Sequence, residues 1–333
     1  MPFPVARGAL SAAVIAALAG GPTDFEQLIA MAREAQDIGD VLTDDDLQWS
    51  LFVLYELHYR GIDGVSDSWE WHPDLLRVRA ELEEPFERRL REIAAAVPVP
   101  EADDLPGTLF AMTAPGKGPS LSRYMATKAT EDQFREFLTL RSAYHLKEAD
   151  PHSWAIPRLS GRAKAALVEV QADEYGGGRC ERMHATLFGQ TMDAVGLDNR
   201  YGALVDQVPA VFLAATNAMS MFGLHRRLLG AIVGHLAAFE MTSSLPNRLY
   251  GNGLRRLGYD ATATLFFDEH IEADAVHEQI AGRDLAGTLA AEQPDRAADI
   301  LFGAAAGLAL DDLAAAVLLP CWESGRSALR SAS

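Results

Sequence analysis

Cysteine is scarce: two residues, Cys180 and Cys321, in a chain of 333. A disulfide framework needs more of them in a shorter chain, and two thiolates cannot build a four-cysteine zinc or iron–sulfur site. Both read as free thiols in a reducing compartment, so the expected location is cytoplasmic. Positive charge is also short, with 29 Lys and Arg against 47 Asp and Glu and a net charge of −18. Such a field repels nucleic acid and anionic lipid, which argues against either as a partner and is compatible with amines and metal cations. An acidic, solubilising surface accounts for most charge of this kind. No apolar run reaches the roughly 20 residues of a membrane span. Alternating β-branched runs between turns, the mark of strands, are essentially missing.

What remains is helix. Near the N-terminus, Arg7 and the run GALSAAVIAALAGGP faintly resemble a signal peptide, but Leu10, Val14, Ile15 and Leu18 recur at helical spacing, so a packed helix is the better reading. DDDLQWSLFVLYELHYRG starts on carboxylates and ends at Gly61, and HPDLLRVRAELEEPFERRLREIAAAV is an amphipathic helix that Pro85 should kink or break. Residues 97–120 hold five prolines and three glycines and form a boundary or crossing segment. Thr130 and Glu131 open the next helix. Further helices are expected at GRAKAALVEVQADEYGGG, at CERMHATLFGQTMDAVGLD, from about Val211 to Leu245, at ATATLFFDEHIEADAVHEQIAG, and from Asp295 to Arg330. Pro246, Gly251, Gly253 and Gly258 should form a loop. The expected fold class is therefore an all-α helical bundle (130–333) with an N-terminal helical extension (1–129).

The sharpest local signal is His270, Asp274 and His277. At about 100° per residue, positions i, i+4 and i+7 share one helical stripe, and two imidazoles with a carboxylate form a ligand set for iron, manganese or zinc. The competing reading is a plain acidic surface, with Glu269, Glu272 and Glu278 solvated. Leu265, Phe266, Ile271 and Ile280 show that the helix also has a core face. Glu240 sits in GAIVGHLAAFEMTSSL, otherwise nearly all apolar. A lone carboxylate there is costly unless paired or bound to a metal. Arg226 and Arg227 on the same predicted helix lie roughly 20 Å away at 1.5 Å per residue, too far to pair with it. Gly230 and Gly234 precede it on one face, suited either to tight helix packing or to close approach of a ligand.

Glu174 and His184 flank Gly176, Gly177 and Gly178. A straight helix would hold them about 15 Å apart, so they converge only if the glycines break it. Glu181 with His184 is a competing ExxH pair of the kind used by ferritin-like di-iron bundles, and spacing does not choose between Glu174 and Glu181. Glu148, near a helix end with Lys147 and Asp150 beside it, reads equally as an exposed glutamate. His58, His72, His145, His152, His225 and His235 read as structural or solvent-facing. Trp154, Tyr175, Phe222 and Phe266 could line a substrate pocket or simply pack in the core.

Four segments, RSAYHLKEADPHSWAIPRL, VEVQADEYGGGRCERMH, GLHRRLLGAIVGHLAAFEMTSSLPNRLYG and FFDEHIEADAVHEQIA, together resemble the haem-oxygenase-like di-iron oxidases and oxygenases, the iron-containing redox enzymes. The resemblance covers about residues 130–310. It implies metal ligands at Glu148, Glu174, His184, Glu240, His270, Asp274 and His277, and it favours Glu174 over Glu181. It also implies two Fe2+ ions, O2 as co-substrate and a small organic substrate that undergoes N-oxygenation, desaturation or oxidative carbon–carbon cleavage. An external electron donor and a homodimer are compatible with it. The acidic chain points weakly to an amine or amino acid as substrate. Two other classes fit the same residues: a zinc or manganese hydrolase using the metal as a Lewis acid, and a non-catalytic helical partner protein with a vestigial site.

Overall fold

A computed structural model describes residues 1–35, 39–100, 104–116 and 120–331, with the side chains of 272–275 excepted. Among the described residues fifteen α-helices, numbered in chain order, follow one another: α1 Ala9–Leu18, α2 Phe25–Glu34, α3 Asp45–Glu56, α4 Pro73–Ala95, α5 Leu105–Met112, α6 Leu121–Thr127, α7 Glu131–His145, α8 Asp150–Ser153, α9 Gly161–Glu174, α10 His184–Ala194, α11 Ala210–Leu224, α12 Leu229–Arg256, α13 Ala261–Gln279, α14 Thr288–Glu292 and α15 Ala297–Glu323. There is no strand among the described residues. One apolar core runs from Met1 to Ala328, so residues 1–129 share it with the bundle. In α1, Leu10, Val14 and Leu18 are buried, as packing of that helix requires.

Side-chain caps start several helices where the sequence offers them. Asp24, Asp44, Asp104, Ser120, Thr130 and Asp260 each accept a hydrogen bond from a backbone amide in the first turn.

Four boundaries depart from expectation. Pro85 does not break α4, whose apolar face (Leu75, Val78, Leu82, Phe86, Leu90) stays buried across it. Pro246 likewise lies inside α12, which runs on through Gly251 and Gly253 to Arg256 instead of forming a loop. An interior proline costs ~3 kcal/mol or more. Here the distal half of α12 is held by buried Tyr250 and Leu254 and by Arg256, whose guanidinium donates to the carbonyls of Met125, Ala126 and Ala129. The expected 211–245 helix is in fact two, because His225 is extended (φ −95°, ψ 114°). The Arg158 guanidinium caps the end of α11 through the carbonyls of Gly223 and Leu224. Finally, residues 97–120 contain a helix, α5, while 101–103 and 117–119 lie outside the described residues.

α12 and α15 pack backbone to backbone. A Cβ at Gly234 would meet the Ile300 carbonyl oxygen at 1.8 Å, so of the two readings of that small-residue face, helix packing holds. α12 and α15 each lie in a stretch long and apolar enough to cross a membrane by length and composition; the first is mostly buried within the bundle. After His277 the helix widens into π-helical turns, Ile280–Gly287, with Gly282 against Met241 and Phe110.

Candidate metal centre

Four segments deliver the polar side chains. α7 ends at His145, and a turn carries Glu148 before α8 begins. Within that turn Ala149 has φ +72°, the one positive-φ non-glycine residue described. A left-handed alanine costs ~1–2 kcal/mol and persists because its surroundings fix it. Glu174 is the last residue of α9. Gly176, Gly177 and Gly178 then adopt φ of 66°, 60° and 79° and reverse the chain. His184, the first residue of α10, is thereby returned to Glu174, with Nδ1 2.9 Å from Oε2. α12 contributes Glu240, and α13 contributes His270 and His277.

The structure brings these groups together in two sets. Donor atoms of Glu148, Glu174, His184 and His270 all lie within 4.8 Å of one another, and so do those of Glu174, Glu240 and His277. Glu174 belongs to both sets. All six residues are buried. Glu181 is exposed, which leaves Glu174 as the carboxylate that meets His184. Asp274 falls on the α13 backbone between the two histidines, but its side chain lies outside the described residues. Glu269, expected to be solvated, pairs with Arg182 at 3.0 Å on the outer side.

The hydrogen bonding of these groups fits a bound cation. His270 Nδ1 donates to the Phe266 carbonyl oxygen at 2.7 Å, which leaves Nε2 facing the cluster, 3.7 Å from Glu148 Oε1. His277 Nε2 faces Asp173 Oδ2 at 3.0 Å, which turns Nδ1 toward Glu240 Oε2 at 3.3 Å. His145 Nδ1 meets Glu148 Oε1 at 2.8 Å. What is left over points inward: Glu148 Oε2, Glu174 Oε2, His184 Nδ1 and His277 Nδ1 are buried atoms without a hydrogen bond. The His184–Glu174 and His277–Glu240 contacts are close in distance yet lack hydrogen-bond geometry. Convergent lone pairs left unsatisfied in a dry interior are what a multivalent cation satisfies, and imidazoles anchored through the other ring nitrogen are the usual form of such ligands.

The electrostatics carry the same strain. Burial raises the carboxyl of Glu240. For Glu148, burial is outweighed by His145 and His270, which hold its carboxyl low. Burial works against a charged His277, but its contacts with Glu240 and Asp173 push it up to about 9. Phe188 and Phe266 pack edge to face at 5.1 Å, and Phe266 lies 4.4 Å from the His270 ring, an apolar wall on that side. Of the aromatics proposed as lining, Phe266 touches the cluster. Tyr175 follows Glu174 and donates to Asp150 at 2.8 Å, and Phe222 packs on Phe302 in the core.

Two partners of the candidate ligands escaped the sequence reading. His145, taken as structural, bonds to Glu148, and its i,i+3 spacing was the available clue. Asp173 carried no signal, because its pairing with His277 depends on how α9 faces α13. The remaining histidines are structural. His58 meets Arg79 at 2.6 Å, His72 stacks on Phe25, His225 meets Glu83 at 2.7 Å, and His152 pairs with His235 at 3.2 Å.

Residues 135–312, more than half of the chain, match the family model described as iron-containing redox enzyme, and the chain belongs to that haem-oxygenase-like, all-α family. The description of that family is of redox enzymes that contain iron. A curated relative, nitrosourea synthase of Streptomyces achromogenes subsp. streptozoticus, is 30% identical over 138 residues, which amount to 41% of this chain and 29% of that protein.

Proposed function

We propose that the chain is a non-haem di-iron oxidoreductase that activates O2 to oxidise a small organic substrate, an amine or amino acid being the best match. The observation that carries this reading is Glu174, shared between a Glu148–His184–His270 set and a Glu240–His277 set. A carboxylate common to two donor sets suits a bridge between two cations, and the family resemblance adds Asp274 as a further carboxylate. Two divalent ions would balance four carboxylate charges while three imidazoles bind as neutral ligands. Iron held there by these residues would supply electrons for the reduction of dioxygen.

The chain's own residues do the rest. Asp173 and the Phe266 carbonyl fix which nitrogen of His277 and His270 faces inward. Phe188 and Phe266 exclude water from one side. The net charge of −18 favours approach of a cationic substrate. N-oxygenation, desaturation and oxidative carbon–carbon cleavage are the reactions that this class of site supports.

The test is to titrate the metal-free full chain with Fe(II) under anaerobic conditions, then mix it rapidly with O2 and candidate amines. Two irons per chain, a transient visible absorbance and an oxidised amine support the reading. Stoichiometric zinc that survives purification, with no response to O2 after iron loading, sinks it.

A further inference from the structure

Glu148 lies in a turn whose neighbours are anchored both by α3 with the residues just after it and by the bundle. Lys147 Nζ pairs with Glu56 of α3, and both side chains are 0% exposed. The Tyr201 hydroxyl donates to the other oxygen of the same carboxylate. The ammonium group also lies 4.1 Å from the Tyr59 ring centre and 5.1 Å from that of Phe52. Arg60, just beyond α3, donates to the Leu146 carbonyl at 3.1 Å and covers Tyr201 at 4.5 Å. From the bundle side, Gln171 donates to the Ala149 carbonyl at 2.9 Å and Tyr175 to Asp150 at 2.8 Å. Residues 146, 147, 149 and 150 are thus each tethered, and Glu148 is suspended between them.

A fully buried ion pair adds little stability over apolar residues of similar volume. Its placement next to a left-handed alanine and a cluster-facing glutamate points to a task other than stability. We propose that the N-terminal segment positions Glu148 through the Glu56–Lys147 pair and Arg60, and so sets the metal affinity of the Glu148–Glu174–His184–His270 set selectively. Glu240 and His277 of the second set come from α12 and α13, and among the described residues the partners of the Lys147 ammonium group lie on or just after α3. Lys147, Glu56 and Arg60 are positioning residues here. The inference rests on the metal reading above.

The test uses the full metal-free chain titrated anaerobically with Co(II), whose visible bands report coordination at each site. Two variants are compared with the parent: the charge-free double variant Glu56→Gln/Lys147→Met, and Arg60→Gln, whose side chain lies at the surface and should leave folding intact. The parent is expected to take up two ions. The double variant should keep one at parental affinity and bind the other ten- to a hundred-fold more weakly, with altered bands for that ion alone. Arg60→Gln should shift the same ion by a smaller factor. Unchanged affinities and spectra in both variants overturn the inference while leaving the metal reading intact, as does equal weakening of both ions. A parent that does not take up two ions overturns the metal reading and this inference with it.

Discussion

Glu174 and His184 are ten residues apart in the chain, yet Oε2 of one lies 2.9 Å from Nδ1 of the other. Three consecutive left-handed glycines close that gap, and Gly176 is the least replaceable. A Cβ there would lie 2.6 Å from the Arg182 carbonyl carbon, on a backbone at φ +66°. Gly176→Ala should therefore move His184 away from Glu174 and, because Glu174 serves both donor sets, weaken both ions by at least about ten-fold. Competition with a chromophoric chelator measures this. Parental affinity at both positions would show that the reversal does not set the site.

Asp173 separates an outer role from a structural one. Its side chain is 63% exposed and its contact is with His277, so little stability depends on it. Asp173→Asn should leave the apo melting temperature within a degree or two while lowering metal affinity roughly ten- to a hundred-fold, as loss of a ligand's orienting partner does. If affinity is unchanged, the ring of His277 is oriented by something else.

How much of this was legible in the sequence follows from where each signal lives. Buried carboxylates on apolar helices and histidines at i and i+7 announce themselves, because desolvation and helical periodicity are local rules. The family pattern supplied their order. The triglycine announced a break but not its direction, so spacing did not choose between Glu174 and Glu181 as the partner of His184; the family pattern favoured Glu174, and the fold brings it to His184. Asp173 and the Glu56–Lys147 pair depend on which helices face each other, and no local rule encodes that, whereas His145 sits at i,i+3 from Glu148 and was locally legible. The helix ends failed for the opposite reason. Pro85 and Pro246 are strong local breakers, but tertiary packing outweighed them, and the break at His225 is imposed from a distance by Arg158.

Glu240 should contribute to stability chiefly when metal is bound. Its carboxyl is 4% exposed, burial pushes it towards the neutral form, and Glu174 lies in the same set. Without metal, Glu240→Gln removes that burden but also the partner that helps hold His277 charged, so the two proteins should be of similar stability in urea denaturation. With metal the parent should become the more stable. An ion at a hundred times its dissociation constant stabilises the parent by ~2.7 kcal/mol, and the variant should gain much less. A variant less stable than the parent without metal, and stabilised equally by it, would mean that Glu240 is a structural carboxylate.

The His152–His235 pair should make the metal-free chain acid-sensitive. The rings meet at 3.2 Å, with His152 1% and His235 7% exposed. Burial pushes His235 down to about 4 and, together with the neighbouring His235, pushes His152 well below its usual range, although Glu148 favours its charged form. Asp311 of α15 is also near His235. Both imidazoles are therefore neutral in the folded protein but take up protons near pH 6.5 once unfolded. Below that pH the unfolded chain binds more protons, so stability is lost as pH falls from about 6.5 towards 4 and is unaffected by this pair above 6.5. For His235 alone the full loss is ~3 kcal/mol, of which ~2 kcal/mol has accrued by pH 5. Urea denaturation of the metal-free parent and of His235→Gln at pH 7.5 and pH 5 isolates the contribution, because the carboxylates titrate in both proteins. The fall in stability between the two pH values should be about 2 kcal/mol smaller in the variant. An identical fall would mean that His235 is charged, or solvated, in the folded chain.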